Sequence, residues 1–401
     1  MNEYGLSVPL YPVECVNSSF SSLEPLHEHG IISWPNFSHC LPHCGLCQSS
    51  ASDSAYSVFN LLLIGCLLPL IGFCGLVGNG LSAFIYSRPE MRSSTNLYLC
   101  ALGCSDSGVI CTAIFLFCID SIRRFSSHLS MVFGALSPII YPAGMTAQTC
   151  SVYFTLAAGA DCFVQVFLPR SWRWMVSTSS FVKGVIIAVV LFGIIYNIPH
   201  CFEAVVLECW HEQFRSRSLE MCPDPFRFQL SYTEVYYKYM YAIFLAVGPL
   251  IILVILNSCI VVASVARKTE EGSGDTIALV LVVLLFIICN TTALLLNVFE
   301  ARLARSLGSK INYIVDASNF MVVFNSSSNF IIYVTFSGSF RQTLRNYLFK
   351  TADLENEMRL TGRISYPRIS NHCNPDSCRM NGKARIVDRP HNDSVRTEVL
   401  I

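Results

Sequence analysis

Long apolar stretches separated by short polar segments fill the chain from about residue 58 to residue 336. A helix needs about 20 apolar residues to cross the hydrocarbon core of a bilayer, where it satisfies its own backbone hydrogen bonds. Stretches of this kind lie near residues 58–86, 96–120, 137–168, 180–200, 235–266, 276–300 and 311–336. The pattern therefore predicts an all-α fold, a seven-transmembrane helix bundle.

Three of these spans contain polar or helix-breaking residues. The second is polar in its middle, and Pro138 and Pro142 interrupt the third, so the start of that helix is ambiguous. The seventh is rich in asparagine and serine from Asn312 to Asn329. Because such side chains need hydrogen-bond partners in lipid, we expect these spans to pack inside the bundle, with polar contacts between helices.

The distribution of basic residues predicts which end of the bundle faces the cytoplasm. No lysine or arginine precedes Arg88, so the positive-inside rule places the amino terminus outside and, after seven crossings, the carboxyl terminus inside. The predicted organisation is an extracellular tail over residues 1–56, a seven-helix domain over 57–336, a membrane-surface helix over 337–350 and a disordered cytoplasmic tail over 351–401. Sequons at Asn17 and Asn36 predict N-glycosylation of the outer tail, whose beginning does not resemble a secretory signal peptide.

The segment after the seventh span has apolar residues at helical spacing, with Arg341 and Arg345 on the opposite side. This pattern is typical of a short amphipathic helix on the inner membrane surface. The polar composition of the remaining tail predicts disorder. Its last residues, Val399, Leu400 and Ile401, resemble a PDZ ligand, although three apolar residues at a carboxyl terminus are common by chance.

The composition agrees with a membrane protein. The 401 residues are 53% hydrophobic and 13% charged, with a mean hydropathy of +0.49, whereas soluble proteins carry about 25% charged residues. With 27 basic and 27 acidic residues, no net charge favours nucleic acid as a partner. The sequence has no phosphate-binding loop, no HExxH and no evident nucleophile–base motif. We therefore expect a multi-pass protein of the plasma membrane that contacts the lipid bilayer and is not an enzyme.

A carboxylate within a span is the strongest functional signal. Asp106 lies in the middle of the second span, where a charge costs about 2.5–3.5 kcal/mol. Amide and hydroxyl side chains of other spans could face it, namely Asn79, Ser151, Asn325, Ser326 and Asn329. Because hard cations prefer oxygen ligands, this set predicts a small-cation site, with a sodium ion at Asp106. The alternative is a water-filled hydrogen-bond network that only ties the helices together.

Cysteines are frequent in the segments predicted to lie outside. The disulfide candidates are Cys40, Cys44, Cys47, Cys118, Cys209 and Cys222. The run from His39 to Cys47 also has the composition of a zinc cluster, but an extracellular location favours disulfides. Cys209 could pair with Cys222, or one of them could reach Cys118, because sequence alone does not fix the connectivity.

Several motifs occur in the order and spacing of a known family. They are Gly78-Asn79, Leu102 to Asp106, Asp161 at the end of the third span, Pro249 in the fifth, Asn329 to Tyr333 in the seventh and the Phe336 to Phe340 stretch after it. Together they resemble a rhodopsin-like, or class A, G-protein-coupled receptor. More narrowly, the stretch from Tyr196 to Glu203 and the run from Asn325 to Tyr333 resemble invertebrate FMRFamide-type neuropeptide receptors.

The chain departs from that family at positions used for switching. The resemblance implies a G-protein-side switch at Asp161, Cys162 and Tyr333, but Cys162 stands where the family has arginine. Thr292 and Phe330 replace the prolines of the sixth and seventh helices, and proline kinks let a helix hinge. Ligand recognition uses the other end of the bundle, so the resemblance implies recognition more firmly than transmission by the usual route.

The resemblance also implies a peptide ligand that ends in Arg-Phe-amide. Its guanidinium needs a carboxylate, and such pairs are often bidentate. Carboxylates near the outer ends of spans are Glu203, which lies in the most family-like stretch, Asp120, Glu234 and Asp316. Aromatic candidates for the pocket wall are Tyr236, Tyr237 and Phe320. Alternatively, each carboxylate is solvated or pairs with a loop arginine such as Arg123.

The favoured function is a receptor for an amidated neuropeptide that signals through a heterotrimeric G protein. The alternative is a receptor-like binding or scaffold protein without ordinary coupling, because the third-helix arginine and two prolines are absent. A transporter or channel is a third class, but the sequence shows no clear inverted repeat or broken midplane helix.

Overall fold

The computed structural model describes residues 19–47, 54–267 and 273–348. The predicted tail over 351–401, its carboxyl-terminal PDZ motif and the sequon at Asn17 lie outside these ranges. Seven long helices form the bundle, at Ser54–Tyr86, Ser94–Phe125, Ser127–Phe167, Ser179–Phe202, Leu230–Ala263, Ser273–Leu307 and Ile311–Phe336 within the described parts. The seven predicted spans are thus confirmed, and below the helices are called first to seventh.

The seventh helix is the least apolar of the set. In the described part of the chain, six helices are long and apolar enough to cross a membrane, whereas Ile311–Phe336 meets this criterion only together with Gly338–Leu348. The latter is the predicted surface helix, and it turns away from the seventh by 92°. Most polar residues of the seventh helix are buried against neighbouring helices. This is expected because exposing polar side chains to lipid costs free energy.

The third helix begins earlier than the sequence suggests. It starts at Ser127, capped by the Ser126 hydroxyl, and continues through Pro138 and Pro142 for 41 residues. Proline removes one helical hydrogen bond, which membrane helices tolerate when neighbouring groups replace it. The ambiguity at the start of the third span is thereby resolved in favour of a helix that extends beyond the bundle.

Small residues bring the first and seventh helices close together. A side chain added at Gly75 would lie 2.8 Å from the Cα atom of Ser327, and one at Gly78 would lie 2.7 Å from the Cβ atom of Phe330. At the inner end, the rings of Tyr86, Tyr333 and Phe340 pack with centroids 5.2–5.7 Å apart. This aromatic cluster joins the surface helix to the bundle.

Two short antiparallel hairpins lie at the outer end and add a small β component to the helical fold. Strands β1 (Phe37–Ser38) and β2 (Leu41–Pro42) belong to the amino-terminal segment, which also has a helix at Ser19–Glu28. Strands β3 (Ala204–His211) and β4 (Ser216–Pro223) form the loop between the fourth and fifth helices. Neither hairpin was predicted from the sequence.

Candidate ligand-binding cavity and inner switch

A cavity of about 570 Å³ opens between the outer halves of the helices. Five tyrosines line it, Tyr141, Tyr196, Tyr236, Tyr237 and Tyr241. Its charged lining residues are Asp120, Arg123 and Arg227, and its side-chain amides are Gln148 and Asn319. Aromatic walls with a few polar anchors are typical of sites that bind peptides and other small ligands.

Glu203 lies behind this wall rather than in it. The residue is 1% exposed, and its carboxylate accepts hydrogen bonds from four neighbours. The donors are His200 Nδ1 at 2.6 Å, Tyr232 at 2.5 Å, Tyr237 at 2.6 Å and Tyr141 at 3.3 Å. The leading sequence-based candidate for a ligand carboxylate is therefore already saturated with donors from the protein.

The environment of Glu203 keeps it ionised. Burial by itself raises the pKa of Glu203, but the hydrogen bonds, that from His200 first, outweigh burial and hold the pKa below its ordinary value. His200, Tyr141 and Tyr237 all line the cavity. The buried carboxylate thus fixes the orientation of three wall side chains, which makes it a positioning residue.

The other three candidate carboxylates differ in their surroundings. Asp120 lines the cavity and pairs with Arg123, whose Nε lies 2.7 Å from Oδ1. Asp316 is buried and accepts from the Tyr56 hydroxyl at 3.0 Å and from Asn60 Nδ2 at 2.9 Å, so it ties the seventh helix to the first. Glu234 is exposed and does not line the cavity.

Among the aromatic candidates, Tyr236 and Tyr237 line the cavity, but Phe320 does not. Phe320 instead packs against the apolar cluster around Ile64 and Val323, because it lies on a different face of the seventh helix from Asn319. Sequence reasoning missed Tyr141 and Gln148, because the prolines made the start of the third helix uncertain. Their spacing of seven residues, two helical turns, could have placed both on one face.

The predicted polar residues within the spans meet at Asp106. Its carboxylate accepts from the Ser151 hydroxyl at 2.6 Å and from Asn329 Nδ2 at 2.7 Å. Asn79 Nδ2 donates to the Ser326 carbonyl at 3.0 Å. The second, third and seventh helices therefore meet at one buried carboxylate that is completely excluded from solvent, and Asn79 ties the first helix to the seventh.

Several buried side-chain oxygens of the first and seventh helices have no hydrogen-bond partner in the described structure. They are Asn79 Oδ1, Asn325 Oδ1, Asn329 Oδ1 and the Tyr333 hydroxyl. Buried polar atoms without partners are rare in folded proteins, and a bound ion or ordered water is a common reason for them. These atoms are the hard oxygen donors that a small cation prefers.

The inner end of the third helix carries Asp161 and Cys162, both buried. One oxygen of Asp161 accepts from Ser94 at 2.8 Å and Thr95 at 2.6 Å, hydroxyls at the start of the second helix. Arg173, the second arginine downstream after Arg170, donates instead to the Gln165 carbonyl at 3.3 Å. Within the described residues, no ion pair includes Asp161.

The sixth helix is fastened at its inner end to the bend after the seventh. Asp275 accepts from the Ser337 hydroxyl at 2.5 Å and from the Ser339 hydroxyl at 2.9 Å. A side chain added at Gly274 would meet the Phe336 carbonyl at 2.6 Å, so the two backbones approach closely. The sixth helix is continuous through Thr292 and the seventh through Phe330, as the loss of both prolines predicts.

The amino-terminal segment is bonded covalently to the hairpin of β3 and β4. Disulfides join Cys44 to Cys209 and Cys47 to Cys222, and Cys40 is disulfide-bonded as well. Disulfide formation in this region is therefore confirmed. Below, residues 36–47 together with this hairpin are called the lid. Among the described residues, no cluster of histidine, cysteine and carboxylate side chains could hold a metal ion, so the zinc alternative finds no support.

Backbone contacts reinforce the lid. The buried carboxylate of Glu220 accepts from the backbone nitrogens of Gly45, Leu46 and Cys47 at 2.7–3.2 Å. Apolar side chains of the amino-terminal helix, Leu23 and Leu26, complete a small core with the hairpin. The lid is thus a folded unit with its own disulfides, hydrogen bonds and apolar core.

Two disulfide predictions are wrong. Cys118 is a free thiol buried in the second helix, with Sγ 3.6 Å from the Gly65 carbonyl. Cys209 and Cys222 do not pair with each other, because they occupy different register positions on β3 and β4. The hairpin instead holds to the third helix through hydroxyl pairs, Ser218 with Ser130 at 3.0 Å and Ser216 with Ser127 at 2.7 Å.

Comparisons with known proteins agree with this geometry. The family model described as 7 transmembrane receptor (rhodopsin family) matches residues 78–333. A Caenorhabditis elegans protein named probable G-protein coupled receptor frpr-1 is 42% identical over 324 residues, 76% of this chain and 85% of that protein. The Drosophila melanogaster FMRFamide receptor is 33% identical, over 71% of this chain and 54% of that receptor. The Caenorhabditis elegans FMRFamide peptide receptor frpr-18 is 29% identical, over 77% and 75% respectively.

Proposed function

The chain belongs to the rhodopsin family of seven-transmembrane receptors, and we propose that it is a cell-surface receptor for a neuropeptide ending in Arg-Phe-amide. It is a multi-pass plasma-membrane protein of a receptor family rather than an enzyme. The observation that carries the ligand class is the outer cavity, with its tyrosine wall, one carboxylate at Asp120 and side-chain amides at Gln148 and Asn319.

Each part of the proposed ligand has a complementary group in the cavity. The tyrosines offer an aromatic surface for the terminal phenylalanine. Asp120 offers a carboxylate for the guanidinium. A terminal carboxamide both donates and accepts hydrogen bonds, as do the side-chain amides of Gln148 and Asn319. A free carboxylate at the peptide terminus has no N–H donors and carries a negative charge. Both differences disfavour binding of the unamidated peptide.

The test is expression in cells and challenge with a library of amidated neuropeptides. Binding and G-protein activation are measured separately, and each hit is compared with the same peptide as a free acid. We expect the amidated form to bind at least tenfold more tightly, since the free acid leaves buried acceptors of the protein without their donor, at a cost of about 1–3 kcal/mol. Equal binding of both forms, or no binding by any amidated peptide, would contradict the proposal.

A second candidate function is ligand capture without ordinary coupling to a heterotrimeric G protein. Cys162 favours it, because the structure supplies no cation to Asp161 in the described part of the chain. The discriminating variant is Cys162→Arg, with Cys162→Ser as the matched control. Activation by the unmodified chain would exclude this candidate. Peptide binding without activation, followed by activation only in Cys162→Arg, would support it.

We also propose that the polar cluster around Asp106 binds a sodium ion. Asp106 would supply the charge, and Ser151, Asn325 and Asn329 would supply neutral oxygens. The fit rests on the direct contacts of Ser151 and Asn329 with Asp106 and on the unpaired amide oxygens of Asn325 and Asn329. In detergent, sodium chloride should stabilise the chain against heat more than choline chloride at equal ionic strength, and Asp106→Asn should abolish the difference. An equal effect of both salts would favour the water-filled network.

A further inference from the structure

A second cavity adjoins the ligand cavity on its outer side. It has a volume of about 510 Å³ and lies between the lid and the outer ends of the first, second and seventh helices. Residues that line it include Cys44, Gly45 and His211 of the lid and Asp120, Arg123 and Arg124 of the second helix. This cavity is called the vestibule below.

The vestibule and the ligand cavity meet at one ion pair. Asp120 and Arg123 line both spaces, and Arg123 Nε donates to Asp120 Oδ1 at 2.7 Å. The guanidinium of Arg123 also lies 4.7 Å from the centre of the Phe133 ring, on the cavity side. Anything that extends from the ligand cavity into the vestibule passes this pair.

Arg124 adds a second positive charge to the vestibule. The residue is exposed, and its guanidinium lies over the ring of its neighbour Phe125 at 5.1 Å. The ion pairs found in the described ranges include Arg123 but not Arg124. The other carboxylate in the vestibule lining, Glu220, is turned to the backbone nitrogens of the lid.

His211, on the lid side of the vestibule, lies within the electrostatic influence of Arg123 and Glu220. Burial lowers the pKa of His211, and Arg123 lowers it further, by more than Glu220 raises it. Because the lid nitrogens hold Glu220 and Arg123 holds Asp120, Arg124 is the charged group of the vestibule lining that no ion pair among the described residues neutralises. Ligand groups that enter this space are favoured when they are negative.

An exchange of partners follows if the proposed ligand binds. A guanidinium that pairs with Asp120 must displace Arg123, because both would occupy the same carboxylate. Arg123 then lies beside Arg124 with its charge unpaired, and unpaired charges in a partly buried site are unfavourable. An acidic group on the ligand would restore neutrality at this point.

We propose that the vestibule binds an acidic side chain of the peptide, upstream of the amidated Arg-Phe, through Arg123 and Arg124. The proposal rests on the proposed function, since the guanidinium at Asp120 releases Arg123. An extended peptide advances about 3.3 Å per residue, so the acidic residue should lie only a few positions before the arginine. The receptor would thereby discriminate among amidated peptides that share the same carboxyl-terminal residues.

The experiment uses synthetic amidated peptides that differ only by glutamate or glutamine, placed at each of the five positions before the terminal arginine. Competition binding is measured on the full-length chain in membranes. We expect glutamate to improve affinity about three- to tenfold at one or two adjacent positions and nowhere else. Glutamine and glutamate binding equally at every position would overturn the proposal. Failure of every peptide to bind would instead contradict the proposed function.

Two variants then assign the effect to the arginines. Arg124→Gln should reduce the preference for glutamate, because it weakens binding of the glutamate peptide more than binding of the glutamine peptide. Arg123→Gln should also reduce the preference, but it should raise the affinity for the glutamine peptide, because Asp120 loses its competitor. A preference for glutamate that persists in the double variant would overturn the assignment. The matched control is Arg217→Gln on β4, and an epitope tag confirms equal surface expression.

Discussion

The outer and inner ends of this bundle are held together by different chemistry. At the outer end, two disulfides join the amino-terminal segment to the hairpin, and buried Glu203 and Glu220 each accept several hydrogen bonds. At the inner end, Asp161 and Asp275 are each held by two hydroxyl groups. Disulfides fix a geometry covalently, whereas hydroxyl groups on a carboxylate form hydrogen bonds that can exchange for water at an exposed site.

The difference separates recognition from transmission. The resemblance implies that the departures at Cys162, Thr292 and Phe330 affect a switch residue and two helix hinges. The outer half retains a well-defined cavity whose wall is oriented by Glu203. A rigid recognition end and a loosely fastened inner end can coexist, because the closely packed helices between them transmit displacement. The following perturbations examine the two ends separately.

The largest effect should come from removing the lid disulfides. Replacing Cys44, Cys47, Cys209 and Cys222 by serine should abolish ligand binding and reduce delivery to the cell surface, since a native disulfide is worth about 2–5 kcal/mol. Ligand binding and surface immunostaining measure the two losses. The free thiol at Cys201 provides the control, as Cys201→Ser should leave both unchanged. Normal binding by the fourfold variant would show that the lid does not shape the cavity.

Glu203→Gln should have the next largest effect. An uncharged amide cannot accept from four donors, so Tyr141, Tyr237 and His200 lose their fixed orientation. Peptide affinity should fall about tenfold or more, given about 1.5–3 kcal/mol for hydrogen bonds to a charged group. Saturation binding measures the loss, with Glu234→Gln as the exposed control. Unchanged affinity would indicate that the wall does not depend on Glu203.

At the inner end, Asp275→Asn should loosen the sixth helix. Losing about 1 kcal/mol of hydrogen bonding to Ser337 and Ser339 shifts an opening equilibrium about fivefold. The separation of spin labels on the sixth helix and the surface helix should increase without ligand, whether or not the chain couples to a G protein. Lys183→Gln, which removes an exposed charge near the inner end of the fourth helix, should not change this separation. If Asp275→Asn leaves the distribution of spin-label distances unchanged, the hydrogen bonds of Asp275 do not restrain the sixth helix.

The smallest effect is expected where the hairpin meets the third helix. Ser127→Ala removes the hydroxyl pair with Ser216 at a partly buried site, and should cost about 0.5–1 kcal/mol of stability. The melting temperature in detergent should fall by only a few degrees, and ligand affinity should remain within twofold. If Ser127→Ala reduces ligand binding as much as the disulfide variant does, the contact with the third helix is the main one that holds the hairpin.

Hydrophobic length was sufficient to predict the seven helices, because lipid imposes one rule on every span. The same rule located Asp106 and its polar neighbours, since a carboxylate within lipid demands partners. It failed at the start of the third helix, where Pro138 and Pro142 argued locally against a helix that packing nevertheless maintains. The pairing of β3 with β4 depends on contacts with residues 36–47. A local sequence pattern does not show such distant contacts.

The candidate site was predictable in part. Tyr236 and Tyr237 were predicted for the pocket wall and do line the cavity, whereas Glu203, predicted to face the ligand, lies behind that wall. Its donors Tyr141, Tyr232 and Tyr237 are distant along the chain, so only the folded structure brings them together. The disulfide partners of Cys44 and Cys47 could not be predicted from the sequence either, because these partners lie 165 and 175 residues away.

The two disulfides of the lid also determine how the chain would bear a mechanical load. A pull on the amino-terminal segment passes through Cys44 and Cys47 into β3 and β4, without first stretching any membrane helix. Strand β3 begins directly after Glu203, and the backbone nitrogen of Asp224 donates to the Glu203 carbonyl at 2.8 Å. Tension on the extracellular tail would therefore be delivered to the residue that orients the ligand cavity.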